Sequence, residues 1–312
     1  MRLGRFRLLL GRTTPKAPEG PLAAALLGQW IDPSAPSTAP AFADDDVAAA
    51  ERHNDLVWPV PRVALAEQLW GEGFLTPGGK DEALRLAAPL GLTSSSSVLL
   101  LGSALAGIAG ALADEFACWV SGFEMAHELA AFTAAQHKKA GGETKRRVTI
   151  VPFNPLATVF RRRGFHHALV LEALSSAAGT ELLHAAAQAI KPSGQLVLVQ
   201  LVSGETPKGP DPALAASPGL DRRTEVLPPA DDITRMLDDL RFDVRVVEDQ
   251  TDRHRRTVMR GWATLVRQLD GPRPSPAYAA VLVKEAEQWM RHLRLTQSKR
   301  IRLMRWHAIS RG

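Results

Sequence analysis

Residues 98–124 decide the fold. Val98-Leu-Leu-Leu-Gly-Ser-Ala-Leu-Ala-Gly107 is a short apolar run that breaks into a turn of small residues; Ile108 to Asp114 follows with helical spacing; and Ala117 to Gly122 is a second apolar run, closing as Val120-Ser-Gly-Phe-Glu124. Apolar runs of this length, bounded by glycine and rich in Val and Leu, read as buried strands. The stretch is therefore strand, turn, helix, strand. It belongs to a longer segment, Leu86 to Ala113, that carries no charge and is long enough on paper to span a bilayer. Pro89, the polar run Thr93 to Ser97 and the glycines at 91, 102, 107 and 110 cut that segment into short elements, as expected of a buried α/β unit rather than a membrane span.

The alternation continues in both directions. Upstream, Asp44 to His53, Pro61 to Trp70 and Lys80 to Ala88 have helical patterning. Downstream, Met125 to His137 reads as a helix, Val148 to Val151 and His167 to Leu171 as strands, Thr180 to Ile190 as a helix and Gln195 to Leu201 as a strand. Ala230 to Leu240 is a helix, Phe242 to Val247 a strand, Val258 to Leu269 and Ala277 to Leu295 helices, and Arg300 to Ile309 a last strand. Strands alternating with helices require right-handed crossovers. The fold class expected is α/β, a doubly wound, mostly parallel seven-stranded sheet with an N-terminal helical extension. Residues 1–60 read as a basic, Pro/Ala-rich extension and 61–312 as one domain, with the proline-rich stretch Ser203 to Pro229 inserted as a lid or surface loop.

Composition narrows the function classes. The 312 residues are 45% hydrophobic and 23% charged, which excludes a disordered or collagen-like chain. One cysteine, Cys118, excludes an internal disulfide framework and a multi-cysteine metal cluster. Lys and Arg (38) exceed Asp and Glu (33) only slightly. The N-terminus is more lopsided: Arg2, Arg5, Arg7 and Arg12 surround Leu3, Phe6 and Leu8 to Leu10, with no acid before Glu19. That segment has the makings of a basic amphipathic helix on an anionic membrane, or of a frayed tail. A cytoplasmic protein is expected, with peripheral contact at the inner membrane surface as the variant that this segment suggests. Arg161-Arg-Arg163, Arg253-His-Arg-Arg256 and Lys299 to Arg311 are interleaved with acids and come with no recognition motif, so nucleic acid is not the expected partner. An oligomer or a partner protein stays open.

On doubly wound sheets, ligands collect beyond the carboxyl ends of the strands. The turn at Gly102 stands there, and Glu124 follows it by about twenty residues, where one carboxylate can accept two hydrogen bonds from a vicinal diol. The alternative is a turn that only packs helix on sheet and an ordinary first-turn helix acid. Glu172, just past the strand ending at Leu171, is placed to meet a substrate or to start a helix. His166 and His167 are adjacent on a strand and point to opposite faces, so they are read as structural rather than as a metal pair. Trp262, Trp289 and Trp306 are read as packing residues.

Several of these segments carry a resemblance. Trp70-Gly-Glu-Gly-Phe-Leu-Thr-Pro-Gly-Gly79 is similar to the segment ahead of the first strand in phosphoethanolamine and related small-molecule N-methyltransferases. The order that follows resembles the class I S-adenosylmethionine-dependent methyltransferases: the loop at Gly102, the acid Glu124, Ile190-Lys-Pro-Ser-Gly-Gln-Leu-Val-Leu198, and the run from Pro229 to Asp249. The resemblance implies S-adenosylmethionine as cofactor and a small-molecule methyl acceptor. It implies Thr76, Gly78 and Gly79 near the methionine end of the cofactor, Gly102, Ser103 and Ala104 beneath it, Glu124 on the ribose, and Met125 and Asn154 at the adenine. Glu172 is the residue expected to act on substrate. Methyl transfer from a sulfonium needs an aligned, desolvated nucleophile more than acid-base machinery. The chain also departs from that pattern. Leu100 stands where the family carries an acid, Ala104 and Ala106 replace two loop glycines, and a lone tyrosine, Tyr278, leaves no aromatic cage for a phosphobase. These departures support a second expectation, a catalytically inactive methyltransferase-like scaffold or regulatory subunit.

Overall fold

The computed structural model describes residues 58–153, 160–175, 179–204, 227–269 and 275–312. The charge-free segment is, as expected, strand and helix. β1 (Ser97–Gly102) alternates its side chains between two layers. Leu99 and Leu101 enter one hydrophobic core, and Val98 and Leu100 enter the other. That two-sided burial explains why the run is continuously apolar rather than alternating. Around β1 lie β2 (Trp119–Glu124), β3 (Val148–Pro152), β4 (Phe165–Leu171), β5 (Ile190–Ser203), β6 (Phe242–Asp249) and β7 (Ile301–Ser310), in the order β3-β2-β1-β4-β5-β7-β6. The first five are parallel, and β7 runs antiparallel to both β5 and β6.

Helices cover both faces. α1 (Val60–Trp70) and α2 (Gly79–Ala87) precede the sheet; α3 (Ala106–Phe116), α4 (Ala130–Lys139) and α5 (Gly142–Arg147) connect β1, β2 and β3. α6 (Gly179–Ala189) and α7 (Ala230–Asp239) lie on the opposite layer with Leu182, Ile233 and Leu237 inward. The sequence missed α5, whose residues Gly142 to Arg147 offer no buried side chain and hence no periodic apolar signal. It also began β2 two residues early, because Ala117 turns the chain with φ +51° before the strand starts.

α8 (Thr251–Gln268) and α9 (Pro276–Gln297) are both inserted between β6 and β7. With α1 they form a cap. Val63, Leu65, Leu69 and Trp70 of α1 pack against Val258 and Leu265 of α8 and Leu282 of α9. Arg62 donates to Glu285 at 2.8 Å, and Trp289 donates to the same carboxylate at 3.1 Å. The expected lid at 203–229 falls mostly outside the described residues. The expected helix at Asp44 to His53 also falls outside them. Among the described residues no helix is long and apolar enough to cross a membrane.

Candidate functional site

The carboxyl end of β1 is a close-packed crossing of backbones. Gly102 has φ +145°, and a Cβ there would lie 2.4 Å from the carbonyl oxygen of Leu171 at the end of β4, so only glycine fits. The next turn is sharper still. Ala104 takes φ +62°, a left-handed conformation that a side chain resists. α3 then starts so near the 70–79 segment that a Cβ on Gly107 would stand 2.2 Å from the carbonyl oxygen of Gly73.

Glu124 holds this turn in place. At the end of β2 it is only 2% exposed. Its Oε1 accepts from the backbone N–H of Ala104 (3.1 Å) and of Ala126 (3.0 Å), and its Oε2 from that of Leu105 (3.0 Å). A carboxylate at the start of a helix is favourably placed, since the N–H groups there lack helical partners. Burial pushes the Glu124 carboxyl above its ordinary range, while the three N–H groups of Leu105, Ala126 and Ala104 oppose that push. The carboxylate expected to receive a diol thus already receives three backbone donors.

The outer side of the turn is covered as well. Ala104 and Ala106 are buried in one hydrophobic cluster with Trp70, Leu75, Leu129 and Phe132. Leu100, at the position of the family's strand acid, is fully buried among Ile108, Leu112 and Val120 and faces no cleft. Met125 packs against the hydrophobic core that includes Phe153, and its N–H bonds the carbonyl of Gly102 at 2.8 Å. Ser103 is exposed. Gly78 and Gly79 serve a turn: their φ values are +91° and +51°, and a Cβ on Gly79 would meet the carbonyl oxygen of Trp70 at 2.1 Å. Asn154 lies outside the described residues.

The sequence-derived site residues separate into two spaces. Thr76, Gly79 and Glu172 line a cavity of about 80 Å³ together with Glu82, Gln250, His254 and Thr257. Glu124 instead touches a groove of about 670 Å³ between α3, α4 and β3, whose floor includes Gly107, Gly110 and Ile150. Ligand cavities typically run to about 300–1,000 Å³. The smaller space is too small for a nucleoside carrying an amino acid, and the larger contains neither Thr76 nor Glu172. The residues that the family resemblance assigns to one cofactor are thus divided between two spaces in this structure.

Three polar features around the smaller cavity were not singled out in the sequence. His254 of α8 and His292 of α9 face each other through their Nε2 atoms at 2.9 Å, with Trp289 edge-on to His292. Burial lowers both, His254 to about 4 and His292 to about 3, so each is neutral at pH 7; one Nε2 donates and the other accepts. Glu82 of α2 is gripped by Arg85 and by Arg253 of α8. Gln250 accepts from Arg85. Apart from the i,i+3 pair Glu82–Arg85, none could have been found by spacing, because the others join residues far apart in the chain. His166 accepts from the N–H of Ser97 at 3.0 Å and lies 2.8 Å from Lys191, an arrangement that ties β1, β4 and β5 together. Among the described residues no cluster of three metal-ligating side chains occurs.

No protein-family model matches the sequence, and no curated protein matches it. Solved structures do. Phosphoethanolamine N-methyltransferase 2 of Haemonchus contortus, in complex with phosphomonomethylethanolamine and S-adenosylhomocysteine, superposes with a TM-score of 0.68 at 17% identity, covering 80% of this chain. The chain spans 57% of that protein's length. Geranyl diphosphate C-methyltransferase of Streptomyces coelicolor A3(2), with geranyl-S-thiolodiphosphate and S-adenosylhomocysteine, gives 0.60 at 12% identity over 86% of this chain and 99% of that one. The [4+2]-cyclase SpnF gives 0.57 at 15% identity over 80% and 92%. Sheet order and these superpositions agree: this chain has the fold of the S-adenosylmethionine-dependent methyltransferases.

Proposed function

We propose that this chain is a methyltransferase-derived scaffold that no longer holds S-adenosylmethionine in the crevice its relatives use, and that it works as a binding or regulatory subunit. The observation that carries this reading is Glu124: its carboxylate is buried and accepts from Ala104, Leu105 and Ala126, which closes the turn on itself. The fold by itself does not oppose it, because one fold hosts many chemistries, a [4+2]-cyclase among the superposed structures. In this reading residues 61–312 form the scaffold and 1–60 a basic extension, and the protein is cytoplasmic.

A second reading keeps the enzyme, a methyltransferase acting on a small molecule with S-adenosylmethionine. It is favoured by the convergence of Thr76, Gly79 and Glu172 on one cavity beside His254 and Thr257. It requires α1, α8 and α9 to move off the turn and Glu124 to release its donors. Titration calorimetry with S-adenosylmethionine and S-adenosylhomocysteine at millimolar concentration separates the two. The scaffold reading expects no saturable heat and no thermal shift, for the native chain and for Ala104→Gly/Ala106→Gly alike. Saturable binding by the native chain would overturn the scaffold reading.

A further inference from the structure

α8 presents two unlike faces. Its inner face is fixed to the cap: Val258 and Leu265 are buried, a Cβ on Gly261 would stand 2.4 Å from Trp70, and His254 bonds His292. Its outer face carries Arg256, Met259, Arg260, Ala263, Val266 and Arg267, spaced i, i+3, i+4, i+7, i+10 and i+11, all exposed. Met259 is 51% and Val266 44% exposed, among the most exposed large apolar side chains of the described residues.

Among the described residues the charge on this face is uncompensated. α8 has five arginines and one aspartate. Arg253 is engaged by Glu82, and Asp252 by Arg255. Among the described residues Arg256 and Arg260 have no ion-pair partner, and Arg267 bonds only the Ala263 carbonyl and Thr264 hydroxyl of its own helix. A rigid helix that interleaves unpaired arginines with exposed Met and Val matches a layer with anionic phosphates outside and hydrocarbon beneath. A nucleic acid would use the arginines but gain nothing from Met259 and Val266.

We propose that the outer face of α8 docks on an anionic lipid bilayer, with Arg256, Arg260 and Arg267 at the headgroup phosphates and Met259 and Val266 at the start of the acyl layer. This surface is separate from the crevice at Glu124 and holds under either reading of that crevice.

Co-sedimentation of the full chain with phosphatidylcholine vesicles, with and without phosphatidylglycerol, tests it. Binding is expected only with phosphatidylglycerol. Arg256→Glu/Arg260→Glu should weaken partitioning by at least roughly tenfold. Met259→Ser/Val266→Ser should weaken it several-fold, and the melting temperature should hold in both, since all four positions are exposed. Arg2→Glu/Arg5→Glu/Arg7→Glu, run in parallel, reports on the N-terminus, which lies outside the described residues. The proposal is overturned by equal binding to neutral vesicles, by partitioning that survives the α8 arginine reversals, or by partitioning that only the N-terminal reversals reduce. Sensitivity to the arginines but not to Met259 and Val266 would also overturn it, in favour of an acidic protein or another polyanion.

Discussion

Truncating Glu124 to alanine would strand the N–H groups of Ala104, Leu105 and Ala126 in a buried turn. An unsatisfied buried donor costs about 1–3 kcal/mol, less where the backbone relaxes or water enters. Glu124→Ala should therefore lose about 2–4 kcal/mol in urea unfolding, whatever ligand is present. Glu124→Gln retains one acceptor oxygen and should lose less. A residue that served only as a ribose ligand would be nearly silent in the same measurement, so stability in the absence of ligand separates a latch from a binding group. Gly102 belongs to the same scale. A methyl group there meets the Leu171 carbonyl oxygen at 2.4 Å, a fixed backbone atom, and Gly102→Ala should cost at least as much as Glu124→Ala.

Among elements, α1 and α8 meet closely in the cap. Gly261 lets α8 approach Trp70 so closely that a Cβ would lie 2.4 Å from the indole. Gly261→Ala gains helix propensity of about 1 kcal/mol but overpacks this contact by about 1–3 kcal/mol. Because the indole belongs to a side chain that can shift, the expected net is a modest destabilisation, accompanied by a changed tryptophan fluorescence as Trp70 turns against Trp289, now 5.5 Å away and edge-on. Helix patterning revealed that α8 and α9 exist, through Val258, Leu265 and Leu282. The order of elements placed them between β6 and β7 but left their packing on α1 unread, because amphipathic spacing tells which face is buried and not what buries it.

At the scale of the whole molecule, the buried histidines make stability depend on pH. Free histidine takes its proton near 6.5, whereas His254 and His167 wait until about 4 and His292 until about 3. Between those values the unfolded chain binds more protons than the folded one, so stability is full above about pH 6.5 and falls as the pH drops toward 4. Scanning calorimetry from pH 7.5 to about 4 should show a falling melting temperature, and His292→Gln, which can still pair with His254, should flatten that slope. An unchanged slope would place the acid sensitivity elsewhere.

The sheet was legible because a parallel strand covered on both faces must be apolar throughout, and Val98 to Leu101 is. The loop at Gly102 and the acid at Glu124 were legible for a similar reason: the turn and the strand end fix their positions in the backbone. Their condition was not. Whether Glu124 receives a diol or three backbone N–H groups, and whether Thr76 and Glu172 share a cavity with it, depends on how Trp70, Leu75 and Phe132 settle over Ala104 and Ala106. The sequence by itself determined the order of strands and helices and the family that order resembles, since local periodicity and glycine positions are written along the chain. Tertiary packing alone set Glu124 onto three backbone N–H groups and turned the arginine-rich face of α8 outward, because both depend on contacts between separate elements that local spacing does not record.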